Sequence, residues 1–234
     1  MPFTINWATS PSRKPPTDSA DEPTFSLLGI LVTLVLWWRC GKPPQGILLI
    51  YLAGIGGGFL GAKIAYLFSE GWLHSDDPQR WMYWISGKSI MGALPGGWIG
   101  VELAKKLLHF RQTTGDRFAI SLPIPLILGR IGCLDAGCCQ GIVTRHGLWP
   151  AVPMEMVFLV IAMLALLILR AKKILPGQHF HLFLITYGIF RLGHEFLRDT
   201  PKPFLGFSGY QIIAFLTAAA AMFAYKRRTQ REQE

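Results

Sequence analysis

Charge is scarce in this chain: of 234 residues, 16% are Asp, Glu, Lys or Arg, while 51% are hydrophobic. A soluble domain carries about a quarter charged residues, so the shortage points away from a soluble fold. Cysteine is also sparse. Cys40, Cys133, Cys138 and Cys139 are too few and too clustered for a disulfide scaffold, and the paired CxxC units of a zinc module are missing. The first 24 residues are polar and proline-containing, with no apolar stretch before Phe25, so no cleaved secretory signal is expected. No internal repeat is visible, and no inverted hydropathy symmetry announces a secondary transporter. The net charge of +9 would suit nucleic acid, but the basic residues fall in short clusters between apolar runs. No nucleic-acid partner is expected, and the clusters read as topology signals.

What the chain does have is long apolar runs: Phe25 to Trp38, Gly46 to Phe68, Ser89 to Phe110, Arg117 to about Leu134, Pro153 to Leu169, His181 to Phe196 and Gly209 to Tyr225. Each crossing needs roughly 20 apolar residues, so about seven exhaust the length. The expectation is an all-α, polytopic integral membrane protein of about seven transmembrane helices, with a polar N-terminal tail at 1–24, a membrane domain at 25–226 and a cytoplasmic tail at 227–234. If the spans alternate, Arg39 and Lys42, Lys105 to Arg117, Arg170 to Lys173 and Lys226 to Arg231 share one side. The positive-inside rule then places the C-terminus in the cytoplasm and the N-terminus outside. Trp72, Trp81, Tyr83 and Trp84 read as an interfacial element, expected as a short amphipathic helix. The runs GIGGGFLG and PGGWIG have two readings: close helix packing, or backbone lining a ligand cavity.

An ionisable residue at membrane depth is expensive and normally faces the bundle interior. Tyr187, Arg191, Glu195 and Arg198 follow i, i+4, i+8 and i+11, one face of a helix, with His194 beside them. They read either as a structural Arg191–Glu195 pair with Arg198 reaching the surface, or as an anion pocket, since arginine's rigid fork suits phosphate and carboxylate. Arg130 lies between glycines in GRIGCLDAGCCQG, Glu155 begins the next span, and Lys63 is a further cation in GAKIAYLF. Two arginines, a lysine, a tyrosine and a glutamate at one depth would suit a phospholipid headgroup.

At these residues the chain resembles the bacterial phosphatidylglycerol–prolipoprotein diacylglyceryl transferases, from Gly46 to the last helix. The pieces are GAKIAYLF, GGWIG, GRIGCLDAGCCQG, PAVPME, TYGIFRLGHEFLRD and SGYQII, of which the third and fifth are the specific ones. The resemblance implies a diacylglyceryl transferase-like bundle in the bacterial cytoplasmic membrane. Such an enzyme moves diacylglyceryl from phosphatidylglycerol to a lipobox cysteine thiol in a prolipoprotein signal peptide and releases glycerol phosphate, with no cofactor. It implies catalytic roles for Arg130 and Arg191, and a substrate-binding set of Arg130, Arg191, Tyr187, Glu155, Glu195, Arg198, Gly96 and Gly97, with Gly141 at a further family position. The family's third-span histidine is absent here, its place taken by Pro95 or Met91, and the signature asparagine is Cys133. His194, the one histidine inside a span and away from its ends, is then the candidate base, against the alternative of a polar residue packed between helices. Without it, the arginine field alone would have to favour the thiolate.

Cys133, Cys138 and Cys139 keep three readings: small buried filler, a disulfide from Cys133 to one of the vicinal pair, or a covalent or metal role. Three functions stay open beside the transferase: a lipid-group transferase with another acceptor, a lipid or anion transporter, and a non-catalytic lipid-binding relative.

Overall fold

The structure is a computed structural model that describes residues 28–29, 31–32, 34–35, 46–135, 137, 139–145 and 147–233, with side chains to residue 230. The N-terminal tail, most of the run from Phe25 to Trp38, Cys40 and Cys138 lie outside the described residues. Among those described the chain is almost wholly helical. The helices are α1 (Ile47–Ser69), α2 (Arg80–Ser86), α3 (Ile90–Leu107), α4 (Gly115–Ser121), α5 (Pro123–Asp135), α6 (Ala151–Ala171), α7 (His179–His194) and α8 (Gly209–Gln233). A two-stranded hairpin pairs β1 (Val143–Thr144) with β2 (Gly147–Leu148) antiparallel.

Among the described residues three stretches are long and apolar enough to cross a membrane, Ile47–Ser69, Gly115–Asp135 and Ala151–Ala171. Their outward side chains are bare hydrocarbon: Phe59 is 60% exposed and Ile161 60%, as are Ile99 on α3 at 65% and Phe223 on α8 at 61%. Water would penalise that surface and lipid does not, so this is a multi-pass membrane protein.

Glycine sets the α1–α3 contact. A Cβ on Gly96 would lie 2.8 Å from Gly61 Cα and inside contact distance of the Gly57 carbonyl, and one on Gly100 would strike the Ala53 carbonyl. The two backbones touch along Gly57, Gly61, Gly92, Gly96 and Gly100, the small-residue packing that lipid favours because it offers no hydrophobic drive between helices. Pro95 sits inside α3, and Ser89 caps that helix by accepting from Met91 N at 3.3 Å. On the other side, α7 and α8 close over a core of Phe183, Leu184, Tyr187, Ala214 and Ala221, with Leu159 of α6 fully buried against it.

Two expectations change, while the expected span from Arg117 to about Leu134 falls within the membrane-capable stretch Gly115–Asp135, with a one-residue break between α4, ending at Ser121, and α5, starting at Pro123. A proline lacks the N–H that a continuous helix would use, but it fits a first turn. The helix through Arg191 ends at His194. Glu195–Leu197 is a 3-10 turn and Arg198 is extended (φ −99, ψ 146), so the i+11 member of the stripe leaves the helical face. The charged segment after Tyr225 continues α8 to Gln233, because Lys, Arg, Gln and Glu are good helix formers.

Candidate functional site

The charged side chains of α5, α6 and α7 converge at the end of the bundle where α5 and α7 stop and α6 begins, the site end. Glu155, one turn into α6 and 1% exposed, is the hub. Its Oε1 accepts from Arg130 Nη2 at 2.8 Å and from the Tyr187 hydroxyl at 2.6 Å, and its Oε2 accepts from Arg191 Nη1 at 3.0 Å. Arg191 also donates through Nη2 to Glu195 Oε2 at 2.5 Å, the i, i+4 pair that the sequence spacing predicts. Arg198 stands at ion-pair distance from both carboxylates, 3.8 Å from Glu155 and 3.9 Å from Glu195. Thr200 completes the Glu195 carboxylate, donating to Oε1 at 2.9 Å.

Loop geometry, not helix periodicity, delivers Arg198. Gly141 forms an antiparallel bridge with Arg198, Ile142 N donates to Leu197 O at 3.0 Å, and Lys202 Nζ donates to Arg198 O at 3.0 Å. A side chain at position 141 would run into the Trp149 carbonyl and come within 3.0 Å of Leu197 O, so only glycine lets the two loops zip together.

Three guanidiniums face two carboxylates in this buried cluster, and its hydrogen bonding is incomplete. Arg130 Nε, Arg191 Nε and Arg198 Nε are buried without a hydrogen-bond partner among the described residues, as are both ring nitrogens of His194. His194 is 5% exposed, stacks on Phe190 at 4.9 Å and lies within electrostatic range of Arg191, Glu155, Arg198 and Glu195. Orphaned buried donors are costly. An anion with several acceptor oxygens would satisfy them.

Several sequence-predicted residues fall elsewhere. Gly96 and Gly97 face the α1 backbone, not the cluster, with a Cβ at Gly97 3.2 Å from Gly54 O. Lys63 points at the interfacial element: its Nζ donates to Trp84 O at 2.6 Å, Ile85 O at 2.6 Å and Gly87 O at 2.8 Å, capping the C-terminus of α2. Those three bonds commit the lysine ammonium to the backbone of the interfacial element. Tyr187 donates its hydroxyl hydrogen bond to Glu155. Cys133 and Cys139 are present as thiols. Cys133 Sγ lies 3.8 Å from Arg130 Nη1, and Cys139 adopts a positive φ of 59° in the loop beyond α5. Among the described residues no group of three His, Cys, Asp or Glu could hold a metal ion. Sequence reasoning passed over Thr200, Glu70 and Tyr210. Glu70 follows the last residue of α1, with Tyr210, Arg198 and Glu195 within electrostatic range of its carboxylate. The available signal was a lone acid ending an apolar run, which looks like any polar flank.

The comparison with known sequences now decides the family. Residues 24–226 match the family described as prolipoprotein diacylglyceryl transferase. The chain belongs to that family. Among its relatives, the phosphatidylglycerol–prolipoprotein diacylglyceryl transferase of Clostridium tetani is 29% identical over 229 residues, covering 88% of this chain and 92% of the relative. The protein of that name from Dehalococcoides mccartyi is 27% identical over 236 residues, with 88% and 89% covered, and that from Methylococcus capsulatus is 31% identical over 219 residues, with 80% of each covered.

Proposed function

We propose that the chain transfers the diacylglyceryl group of phosphatidylglycerol to the lipobox cysteine thiol of a prolipoprotein signal peptide and releases glycerol phosphate. The reaction breaks the bond between the diacylglyceryl carbon and a phosphate oxygen while sulfur attacks that carbon, so negative charge grows on the departing phosphate. Preorganised donors in a water-poor site are worth most at that point. The observation that carries the reading is the arginine cluster, with the Nε donors of Arg130, Arg191 and Arg198 buried and unused. Family membership supports the choice of phosphatidylglycerol and prolipoprotein, the two substrates in the relatives' names.

In this reading Arg130 and Arg191 hold the phosphate, and Arg198 adds field from the edge. Glu155 and Glu195 fix the guanidiniums in register, and Tyr187 locks Glu155. His194, with one N–H and one lone pair uncommitted, contacts the reacting groups from α7. The bundle crosses the bilayer seven times within residues 25–226, in a bacterial cytoplasmic membrane. The site end lies outside, and the C-terminus, with Lys226 to Arg231, lies in the cytoplasm. Trp72, Trp81 and Trp84, 47%, 59% and 40% exposed, support the placement of the α2 element at the outer interface.

The deciding experiment supplies purified protein with labelled phosphatidylglycerol and a lipobox peptide and scores thioether product. Thioether formation is the expected result. Diacylglyceryl loss to a different nucleophile would assign another acceptor, and lipid binding without turnover would make this a non-catalytic relative.

A further inference from the structure

The chain between α7 and α8 leaves the charged cluster at Thr200 and turns back at the site end. Pro201 and Pro203 stiffen it, and Lys202 pins it by donating to Arg198 O at 3.0 Å and to Thr200 O at 3.2 Å. Beyond Pro203 comes a two-residue hairpin turn. Phe204 N donates to Phe207 O at 3.2 Å and Phe207 N donates to Phe204 O at 2.9 Å, with Leu205 and Gly206 as the central pair. Both central residues have positive φ, 50° and 86°. Such a turn favours Asn or Asp followed by Gly, because a short polar side chain tolerates the left-handed region and suits a tip that faces water. Gly206 conforms. Leu205 does not: its Cβ is strained at φ 50°, and its side chain, 99% exposed, is bare hydrocarbon.

The neighbouring elements indicate what surrounds that tip. Phe204 stacks at 5.7 Å on Phe68, one residue before the end of the membrane-capable helix α1. Four residues beyond Phe68 stands Trp72, the first tryptophan of the interfacial element. Phe207 meets Phe196 edge to face at 5.8 Å. Phe68, Phe196, Phe204 and Phe207 are each between 41% and 48% exposed, so one part of every ring is packed on another ring and the rest is open. The turn therefore continues the apolar rim that Trp72 and Trp84 begin. Irregular backbone is not tolerated against lipid in the hydrocarbon core, so the level that suits the turn is the boundary between headgroups and acyl chains.

We propose that the Phe204–Phe207 turn is a lipid-seated finger, with Leu205 and the open parts of Phe204 and Phe207 resting in the headgroup–acyl boundary of the bilayer at the site end. An apolar surrounding accounts for a leucine where a water-facing turn would carry asparagine. The finger ties the loop that carries Arg198 and Thr200 to the membrane surface, and it needs only that the chain is a membrane protein, not the transfer reading above.

The test uses the full chain in nanodiscs of phosphatidylethanolamine and phosphatidylglycerol, in two arms. In the first, Leu205 is replaced by the photoreactive benzoylphenylalanine and the disc is irradiated in the presence of a lipobox peptide. Acyl-chain adducts on the fragment containing position 205 are the expected result. Absence of lipid adducts overturns the proposal. Adducts to the peptide in place of lipid also overturn it and make the turn a peptide dock, and adducts to a second copy of the chain make it a protein interface. The second arm follows amide exchange of residues 204–208 in Leu205→Asn, a substitution that suits the left-handed backbone and so preserves the turn. A lipid-seated finger that loses its hydrocarbon should exchange faster than wild type by about fivefold or more. A water-facing turn should instead be relieved of strain by asparagine, so slower or unchanged exchange refutes the finger. Neither arm reads thioether formation, and a chain that fails to transfer diacylglyceryl would leave the finger standing.

Discussion

Two helix contacts of this bundle solve the same membrane problem in opposite ways. Between α1 and α3, side chains are removed until backbones touch at Gly57, Gly61, Gly92, Gly96 and Gly100. Where α6 meets α5 and α7, long charged side chains are buried instead: Arg130, Glu155, Arg191 and Glu195, all at 5% exposure or less. The first contact is complete, because dispersion between close backbones leaves nothing unsatisfied. The second is incomplete, with unused N–H groups on three arginines. A polar interface built only to hold helices together would satisfy its donors, since a buried pair that is merely structural is often no better than apolar packing. The unused donors mark the second contact as the one kept for a ligand.

The largest effect should come from breaking the complete contact. In Gly96→Leu the new side chain meets the Gly57 carbonyl and the Gly61 backbone, neither of which can yield as a flexible side chain would. Overpacking costs about 1–3 kcal/mol where the surroundings can adjust, and more is expected here. Detergent-solubilised protein should run as aggregate on size exclusion, and Gly96→Ala should be folded with a lowered unfolding midpoint. A normally folded Gly96→Leu would show that the α1–α3 contact is looser than described.

Arg191 tests the incomplete contact. Arg191→Ala should cut transfer by at least about a hundredfold, the scale for loss of one transition-state donor. It should also weaken phosphatidylglycerol binding, and leaving Glu155 and Glu195 short of a partner should cost about 3–5 kcal/mol of stability. Arg191→Lys keeps the charge and separates the two effects. It should fold better than the alanine variant yet remain well below wild-type activity, because one ammonium cannot bridge Glu155 and Glu195 and still face a phosphate. Wild-type transfer in Arg191→Lys would reduce the cluster to a charge reservoir without geometry.

The charged contact was legible in the sequence and the glycine contact only half so, for a physical reason. Charges are rare in an apolar span and each one stands out. The i, i+4 spacing of Tyr187, Arg191 and Glu195 already puts them on one face. Glycine in a span has two meanings, close packing or cavity lining, and only the Gly96–Gly61 approach separates them. Arg198 was placed on the wrong element because periodicity cannot see that the helix stops at His194. Its true position depends on a bridge to Gly141, 57 residues away in sequence. Lys63 misled for the same reason: an intramembrane cation suggests an anion, and nothing in the sequence says that three carbonyls 21 to 24 residues downstream will claim it.

Lys63 gives the smallest and sharpest test of the comparison, since it is a charge that behaves like the glycines and completes a contact. Helix α2 has seven residues, too few to be stable alone. Its last carbonyls, at Trp84 and Ile85, and that of Gly87 find their donors in the Lys63 ammonium, while Trp84 Nε1 is tied to Gly71 O at 3.0 Å. Lys63→Met removes three charge-assisted hydrogen bonds but leaves the arginine cluster untouched. Amide exchange in residues 80–87 should accelerate by about tenfold or more, because opening α2 no longer breaks those bonds. Turnover and the KM for phosphatidylglycerol should stay within about twofold of wild type, the range left to a residue that contacts no substrate. A headgroup ligand would give the reverse pattern, a raised KM with α2 still protected. That result would return Lys63 to the anion site and erase the line between the contact that is finished and the one that waits for a lipid.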